Sequence, residues 1–260
     1  MKEIKDNLFC VLGSHGFIGS SLVSRIKELG GAVVTTPTKE CKAIFHFASY
    51  THIPFEKNPS YHTHELMSSY LYCFNFCQEN KIPFIYPSSA LVYEAPRPFY
   101  YFKKITEDMQ HLYDVEALAL RIFPVYGVGE GERGHPTAIQ QWIKTMLEGK
   151  RPIVYGDGTQ TRDFIYISDV VHNILLFYKQ GVTGIKDIGS GTPISFNSII
   201  DVINIELGNV KSGAVLKPEY RPTPQGYAKG IKCPNPVTTY VDIHEGVRRM
   251  IKELSVHPLF

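Results

Sequence analysis

The chain has 260 residues, 43% of them hydrophobic and 20% charged, the balance of an ordinary soluble globular protein long enough to bury a substantial core. A formal net charge of +2 gives no global pull toward nucleic acid or a membrane surface. No apolar run approaches the roughly 20 residues of a membrane span, and the start Met1-Lys2-Glu3-Ile4-Lys5-Asp6-Asn7 is too polar for a secretory leader.

Leu8-Phe9-Cys10-Val11-Leu12 reads as a buried strand, and Gly13 to Gly19 as a turn that opens a helix. Ile18, Leu22, Ile26 and Leu29 mark one face of that helix, and Gly30-Gly31 closes it. Ala32-Val33-Val34 is a second strand, Ala43-Ile44-Phe45-His46-Phe47 a third, and Ile82-Pro83-Phe84-Ile85-Tyr86 a fourth. A long helix from about Ser60 to Asn80 lies between the last two. A further helix runs through Lys104 to Leu112, and Leu118-Ala119-Leu120-Arg121-Ile122 follows as a strand. Strands alternating with helices predict an α/β fold, a parallel sheet covered on both faces. From about Val125 the pattern loosens into turns rich in Gly and Pro, which reads as a smaller lobe. Five cysteines are scattered without a metal-type CxxC pair, as expected of a chain in the reducing cytoplasm. Cys73 and Cys77, one turn apart, read as buried small hydrophobes and not as metal ligands, so no metal is expected.

Gly13-Ser14-His15-Gly16-Phe17-Ile18-Gly19 follows a predicted strand and begins a predicted helix, which is the context of a dinucleotide turn. The first glycine permits the tight turn and the second lets backbone approach a pyrophosphate. The third lets helix pack on strand, while the helix N-terminus offers N–H groups to the phosphates. His15 is expected to face solvent. The acidic residue that normally closes the second strand and holds the adenosine ribose is absent, because this strand ends Val34-Thr35-Thr36-Pro37. Lys39 lies close enough in sequence to meet a 2′-phosphate, so NAD is expected with NADP left open.

Tyr100 and Lys104 stand four apart, one turn along a helix, and Ser88-Ser89 closes an upstream strand. Hydride leaves a carbinol carbon only as its hydroxyl proton is removed, so a base must stand beside the nicotinamide. Free tyrosine ionises near ~10, and activity near neutrality asks for a drop of ~3 units, about 4 kcal/mol. One cation at ~5 Å, with an effective dielectric of ~20, contributes about 3 kcal/mol. Lys104 and an oxidised nicotinamide together meet that demand, with Ser89 holding the substrate oxygen and no metal required.

These features resemble the NAD-dependent epimerase/dehydratase family, the extended short-chain dehydrogenases that modify nucleotide sugars. The resemblance implies a Rossmann-type sheet, residues 1–124 with 164–189, and a substrate lobe, residues 125–163 with 190–260. It implies catalysis by Ser89, Tyr100 and Lys104, with cofactor bound by Gly13, Gly16, Phe17, Ile18, Gly19, Phe47, Ala48 and Lys104. His46-Phe47-Ala48-Ser49 resembles the family's strand-end cofactor segment, and Leu120 to Gly127 the motif that enters the lobe. Tyr155 to Asp169 is the most specific stretch, and it implies that Arg162 grips a sugar-nucleotide diphosphate with Tyr155 near the base. Arg221-Pro222 resembles a second diphosphate arginine, His135 approximates a catalytic histidine of some members, and Asp169 reads as a helix cap.

Departures from the family narrow the reaction. Ala90-Leu91 stands where dehydratases carry Asp-Glu, where decarboxylases use a glutamate and where certain epimerase/reductases place a cysteine. What remains is reversible oxidation at one carbinol, as in a 4-epimerase, with a plain 4-keto-sugar reductase or a non-catalytic binding protein as alternatives. Pro124 replaces an asparagine common in the family. Only about eight residues separate Thr35 from the strand at Ala43, so the second crossover and third strand of the family are expected to be trimmed away. The aromatic helix around Tyr70, Tyr72, Phe74 and Phe76 is read either as ordinary core or, as the resemblance implies, as part of a homodimer face. No nucleic-acid or membrane partner is expected.

Overall fold

The computed structural model describes residues 1–50, 55, 57–93, 97–130, 136–208, 217–221 and 230–256. The chain divides into two compact units, Met1–Ile122 with Val170–Ile188, and Phe123–Asp169 with Gly189–Phe260.

The first unit is built on parallel strands, β1 (Leu8–Leu12), β2 (Ala32–Val34), β3 (Ile44–His46), β4 (Phe84–Ser89) and β5 (Ala117–Ile122), completed by Gly184–Ile188, which is β10 in chain order. Their order across the sheet is β10-β5-β4-β3-β1-β2, and every pairing is parallel. This is a Rossmann-like α/β sheet, with β2 at an edge. From β2 the chain turns through Thr38, whose carbonyl accepts from Cys41 N, and enters β3 directly. No further strand lies beyond β2 among the described residues, so the expected trimming of the second crossover is what the topology records.

Helix α1 (Phe17–Glu28) buries Gly19, Leu22 and Ile26. The long α2 (Pro59–Asn80) starts with Asn58 accepting from Tyr61 N and Pro59 in its first turn, and ends at Lys81 with φ 55°. Its aromatics serve two surfaces. Tyr70 and Phe74 are buried against Phe84 and Tyr86, whereas Tyr72 is exposed and stacks on Phe76. Cys73 and Cys77 join Cys10 and Cys41 in the same core, where burial pushes the Cys10 and Cys73 thiols up to about 12. Helix α3 (Pro98–Met109) is amphipathic and ends in a 3-10 turn over Gln110–Leu112.

Strand β4 starts later and runs further than its apolar run suggests. Ile82 is still tied to the helix exit through Cys77 O, and the strand continues through Pro87 to Ser89. Proline is tolerated there because the last β3 partner pair is Phe45 with Ile85, so at Pro87 the strand pairs only with β5.

The second unit contains β6 (Val125–Tyr126), α4 (Ala138–Leu147), β7 (Ile153–Tyr155), β8 (Thr161–Arg162), β9 (Ile165–Tyr166), β11 (Ile194–Ser195), α6 (Phe196–Glu206), β12 (Glu219–Arg221) and α7 (Ile243–Val256). Between β9 and β10 lies α5 (Ile167–Gln180), which the division between units crosses. Strand pairs β6–β9, β7–β12 and β8–β11 are small two-stranded sheets. Helices α4, α6 and α7 pack on one another, with Trp142 edge-on to Phe196 at 5.1 Å and its indole N–H donating to Ile153 O at 2.7 Å.

Candidate active site

The glycine turn is tight enough to require its glycines. Gly13 has φ +78°, and a Cβ there would lie 2.4 Å from Ala48 N. A Cβ on Gly19 would lie 2.0 Å from Gly13 O, so helix and turn touch backbone to backbone. Gly16 N donates to Gly13 O at 2.9 Å, and Gly16 is the N-cap of α1 with no side-chain capping bond and no acid in the first turn. Phe17 and Ile18 begin the helix half-buried, and His15 is exposed. The result is an open helix N-terminus beside a close backbone approach, the arrangement that receives a pyrophosphate. The turn abuts Phe47 and Ala48, which follow β3 at the carboxyl edge of the sheet.

One residue further, Ser49 Oγ accepts from Lys103 Nζ at 3.3 Å, and Lys103 also donates to Pro87 O at 2.8 Å. Tyr70 Oη donates to the same carbonyl at 3.3 Å. Lys103 is 2% exposed, and its Nζ lies 5.4, 5.5 and 5.8 Å from the ring centroids of Phe99, Phe102 and Tyr70. Burial pulls the ammonium down to about 7, with Glu107 opposing the shift. Beside it, burial and then the charge of Lys103 bring His46 down to about 4, and its Nε2 meets Ser69 Oγ at 2.7 Å.

Helical geometry separates Lys103 from its neighbour. A residue advances about 100° around an α-helix, and the buried face of α3 carries Phe99, Phe102, Lys103, Thr106 and Glu107. Tyr100 and Lys104 fall on the half-exposed flank. Lys104 Nζ donates to Glu107 Oε2 at 3.1 Å and lies 4.0 Å from Asp108 Oδ1. The lysine at the sheet edge is therefore Lys103 and not Lys104. The residue one turn before it is Phe99, and Tyr100 packs edge-on against Tyr101.

Ser89 ends β4 half-buried, with its Oγ accepting from Leu91 N at 3.2 Å. Ser88 instead is buried and donates to Glu107 Oε1 at 2.5 Å. Arg121 grips the same carboxylate through two parallel bonds, Nε to Oε1 at 2.8 Å and Nη2 to Oε2 at 2.7 Å. Burial alone would raise the Glu107 carboxyl, but Arg121, Ser88 and Lys104 outweigh it and hold it below the usual carboxylate range. Arg121 Nη1 further donates to Tyr93 Oη at 2.8 Å, and Tyr93 donates to Asp187 Oδ1 at 2.8 Å. This network locks the ends of β4, β5 and β10 to α3.

In the second unit, Arg162 Nη1 donates to Thr161 O at 2.8 Å, and its guanidinium lies 5.7 Å from the Phe196 ring centroid. Tyr155 is exposed at the end of β7, where its backbone partner in β12 is Arg221. The Arg221 side chain and His135 lie outside the described residues. Asp169 Oδ2 accepts from Val241 N at 2.8 Å, so its carboxylate ties down the segment before α7 rather than serving only as a cap. Asp163 is 1% exposed and accepts from Ser190 N, Ser190 Oγ, Gly191 N and Cys233 N at 2.7 to 3.2 Å, which ties two other segments to its own.

Residues 100–189 match the model of the NAD dependent epimerase/dehydratase family. A putative UDP-glucose 4-epimerase of Methanocaldococcus jannaschii is 38% identical over 97 residues, which are 37% of this chain and 32% of that protein. Among solved structures, a UDP-N-acetylglucosamine 4-epimerase from Methanobrevibacter ruminantium, in complex with UDP-N-acetylmuramic acid, superposes with a TM-score of 0.83 at 21% identity. The likeness covers 99% of this chain and all of the other. A UDP-glucose 4-epimerase with UDP-glucose from Thermotoga maritima superposes with a TM-score of 0.82 at 18% identity, over 97% of this chain and 100% of the other. At these identities the likeness is one of fold.

The matched segment, 100–189, begins on α3 and so contains both lysines. What distinguishes them in the sequence is the pair Phe99 and Phe102, since two aromatics three apart mark the face that enters the core and carry Lys103 in with them. Asp163 had no such signal, because its donors come from residues 27 and more positions away. The uncapped N-terminus of α1, held against the turn by backbone packing that a Cβ at Gly13 or Gly19 would break, fits the dinucleotide that the family's name implies.

Proposed function

We propose that the protein is a nucleotide-sugar epimerase, 4-epimerase-like, which holds NAD at the glycine turn and acts on a UDP-sugar. What carries this reading is the unbroken run of groups along one sheet edge, from Gly13 through Ala48 and Ser49 to Lys103 and Pro87. The three relatives named above are UDP-sugar epimerases, and they supply the substrate class. NAD, when bound, is the hydride acceptor and donor.

Within this reading the N–H groups at the start of α1 hold the pyrophosphate, and Ser89 Oγ orients the reacting sugar hydroxyl. Arg162 and Tyr155, with Arg221 and His135, are assigned to the nucleotide-sugar end. Lys103 stands at the place by the sheet edge that was expected of Lys104. A homodimer fits the exposed apolar side chains of Leu71 and Tyr72 on α2 and Tyr101 and Ile105 on α3. A reducing cytoplasm fits five cysteines that are all buried. Among the described residues no helix is long and apolar enough to cross a membrane.

Purified protein is incubated with NAD and UDP-glucose, UDP-N-acetylglucosamine or UDP-glucuronic acid, and the sugars are resolved by NMR. A new C4 epimer without net NADH is the expected result. Net loss of added NADH on a 4-keto sugar nucleotide would identify a reductase instead. Binding of NAD without turnover of any sugar would favour a non-catalytic binder, the reading that Phe99 on the lysine face supports.

A further inference from the structure

We propose that Lys103 is itself the group that takes the proton from the sugar hydroxyl and returns it, acting as a neutral amine. This rests on the epimerase reading and replaces the tyrosine that such chemistry was expected to use.

The stoichiometry of its contacts points to an amine. A protonated lysine has three N–H donors, and a neutral one has two donors and a lone pair. Among the described residues Lys103 donates to two oxygens, Pro87 O and Ser49 Oγ, and both are uncharged. Two positions of the nitrogen are thus used by neutral acceptors, and no carboxylate meets the third among the described residues. A buried cation without a carboxylate in contact is unfavourable, whereas a buried amine with its N–H groups satisfied is not. The charged and titratable groups around it come from every packed element. Glu107 on α3 is saturated by Arg121, Ser88 and Lys104. His46 on β3 is held neutral with its value near 4, and burial raises the phenols of Tyr70 on α2 and Tyr86 on β4. Lys103, brought to about 7, is the member of this group that changes charge near neutrality.

Phe99 explains why the amine is needed. It occupies the position one turn before Lys103 on the buried face, where a phenol would have to stand to relay the proton. Its ring instead helps to keep water from Nζ. In the step, the O–H bond of the carbinol breaks and its proton joins the Nζ lone pair, giving an ammonium. A bound NAD would supply the acceptor for the hydride of the same carbon. Return of both to the resulting ketone restores the starting charges, so nothing is consumed.

The test compares the wild type with Lys103→Met, Lys103→Arg, Tyr100→Phe and Lys104→Met, using NAD and the UDP-sugar turned over best. The wild-type kcat/KM should rise about tenfold per pH unit below a midpoint near 7 and level above it. Lys103→Met should lower kcat at least about 100-fold while binding UDP-sugar unchanged, and Lys103→Arg should lose the limb near 7. Tyr100→Phe and Lys104→Met should stay within about threefold of wild type, and loss of turnover in Tyr100→Phe alone would overturn the proposal. Independently of turnover, the Lys103 Nζ resonance should titrate near neutrality and shift when NAD is added. If it stays protonated to pH 9, Lys103 is not the base, whether or not the epimerase reading holds. A wild type that turns over no sugar, with Lys103 titrating near neutrality, would reject the epimerase reading and this assignment together.

Discussion

At the scale of the residue, Lys103 makes a prediction about stability that does not depend on activity. Its ordinary value of 10.5 falls to about 7 in the fold. Between these values the unfolded chain binds more protons than the folded one, so stability rises with pH across that window and the penalty is complete below it. The full span is on the order of 5 kcal/mol. Lys103→Met removes that penalty and forfeits two hydrogen bonds of about 1 kcal/mol each. The variant is therefore expected to be more stable than wild type at pH 6 by roughly 2 to 3 kcal/mol. The advantage should shrink as pH rises toward 10, as read by urea unfolding at several pH values. A constant difference across pH would mean that Lys103 is not titrating in the fold. His46 adds to the acid side in the same sense, because its value falls from 6.5 to about 4 and stability is lost as pH drops through that range.

At the scale of the element, the joint between the glycine turn and α1 is the least tolerant part of the site. Gly19→Ala places a methyl carbon 2.0 Å from Gly13 O, and the obstacle is backbone that cannot rotate away. The substitution is expected to destabilise the protein by about 3 kcal/mol and to weaken NAD binding at least tenfold, measured by thermal unfolding and by titration calorimetry. Gly149→Ala is a useful contrast, since a Cβ there meets nothing within 4 Å and only its φ of +72° resists. Its effect should be confined to about 1 kcal/mol, with NAD binding unchanged. Helix α3 illustrates the other face of this scale. One residue of helix phase decides whether a side chain joins the core or the flank, and so Tyr100 with Lys104 and Phe99 with Lys103 are equivalent in spacing but not in place.

At the scale of the whole molecule, the proposed homodimer draws on the exposed side chains of Leu71 and Tyr72 on α2 and of Tyr101, Ile105 and Leu112 on and after α3. A homodimer through this face predicts that Leu71→Asp with Ile105→Asp yields a monomer in sedimentation velocity, with far-UV circular dichroism preserved. A wild type that already sediments as a monomer would exclude it. The sequence by itself determined the alternation of strands and helices, the glycine turn, the trimmed passage from β2 to β3 and the serine at the end of β4. Each of these is written in local periodicity, or in residues whose backbone demands are local. Which of two adjacent lysines enters the sheet edge was decided by helix phase against a core assembled from β3, β4 and α2, and its trace in the sequence is the pair Phe99 and Phe102. Tertiary structure alone decided that Glu107 is gripped by Ser88, Lys104 and Arg121, and that Asp163 gathers donors from Ser190, Gly191 and Cys233. Buried charge is settled by partners distant in sequence, and spacing along the chain carries no record of them.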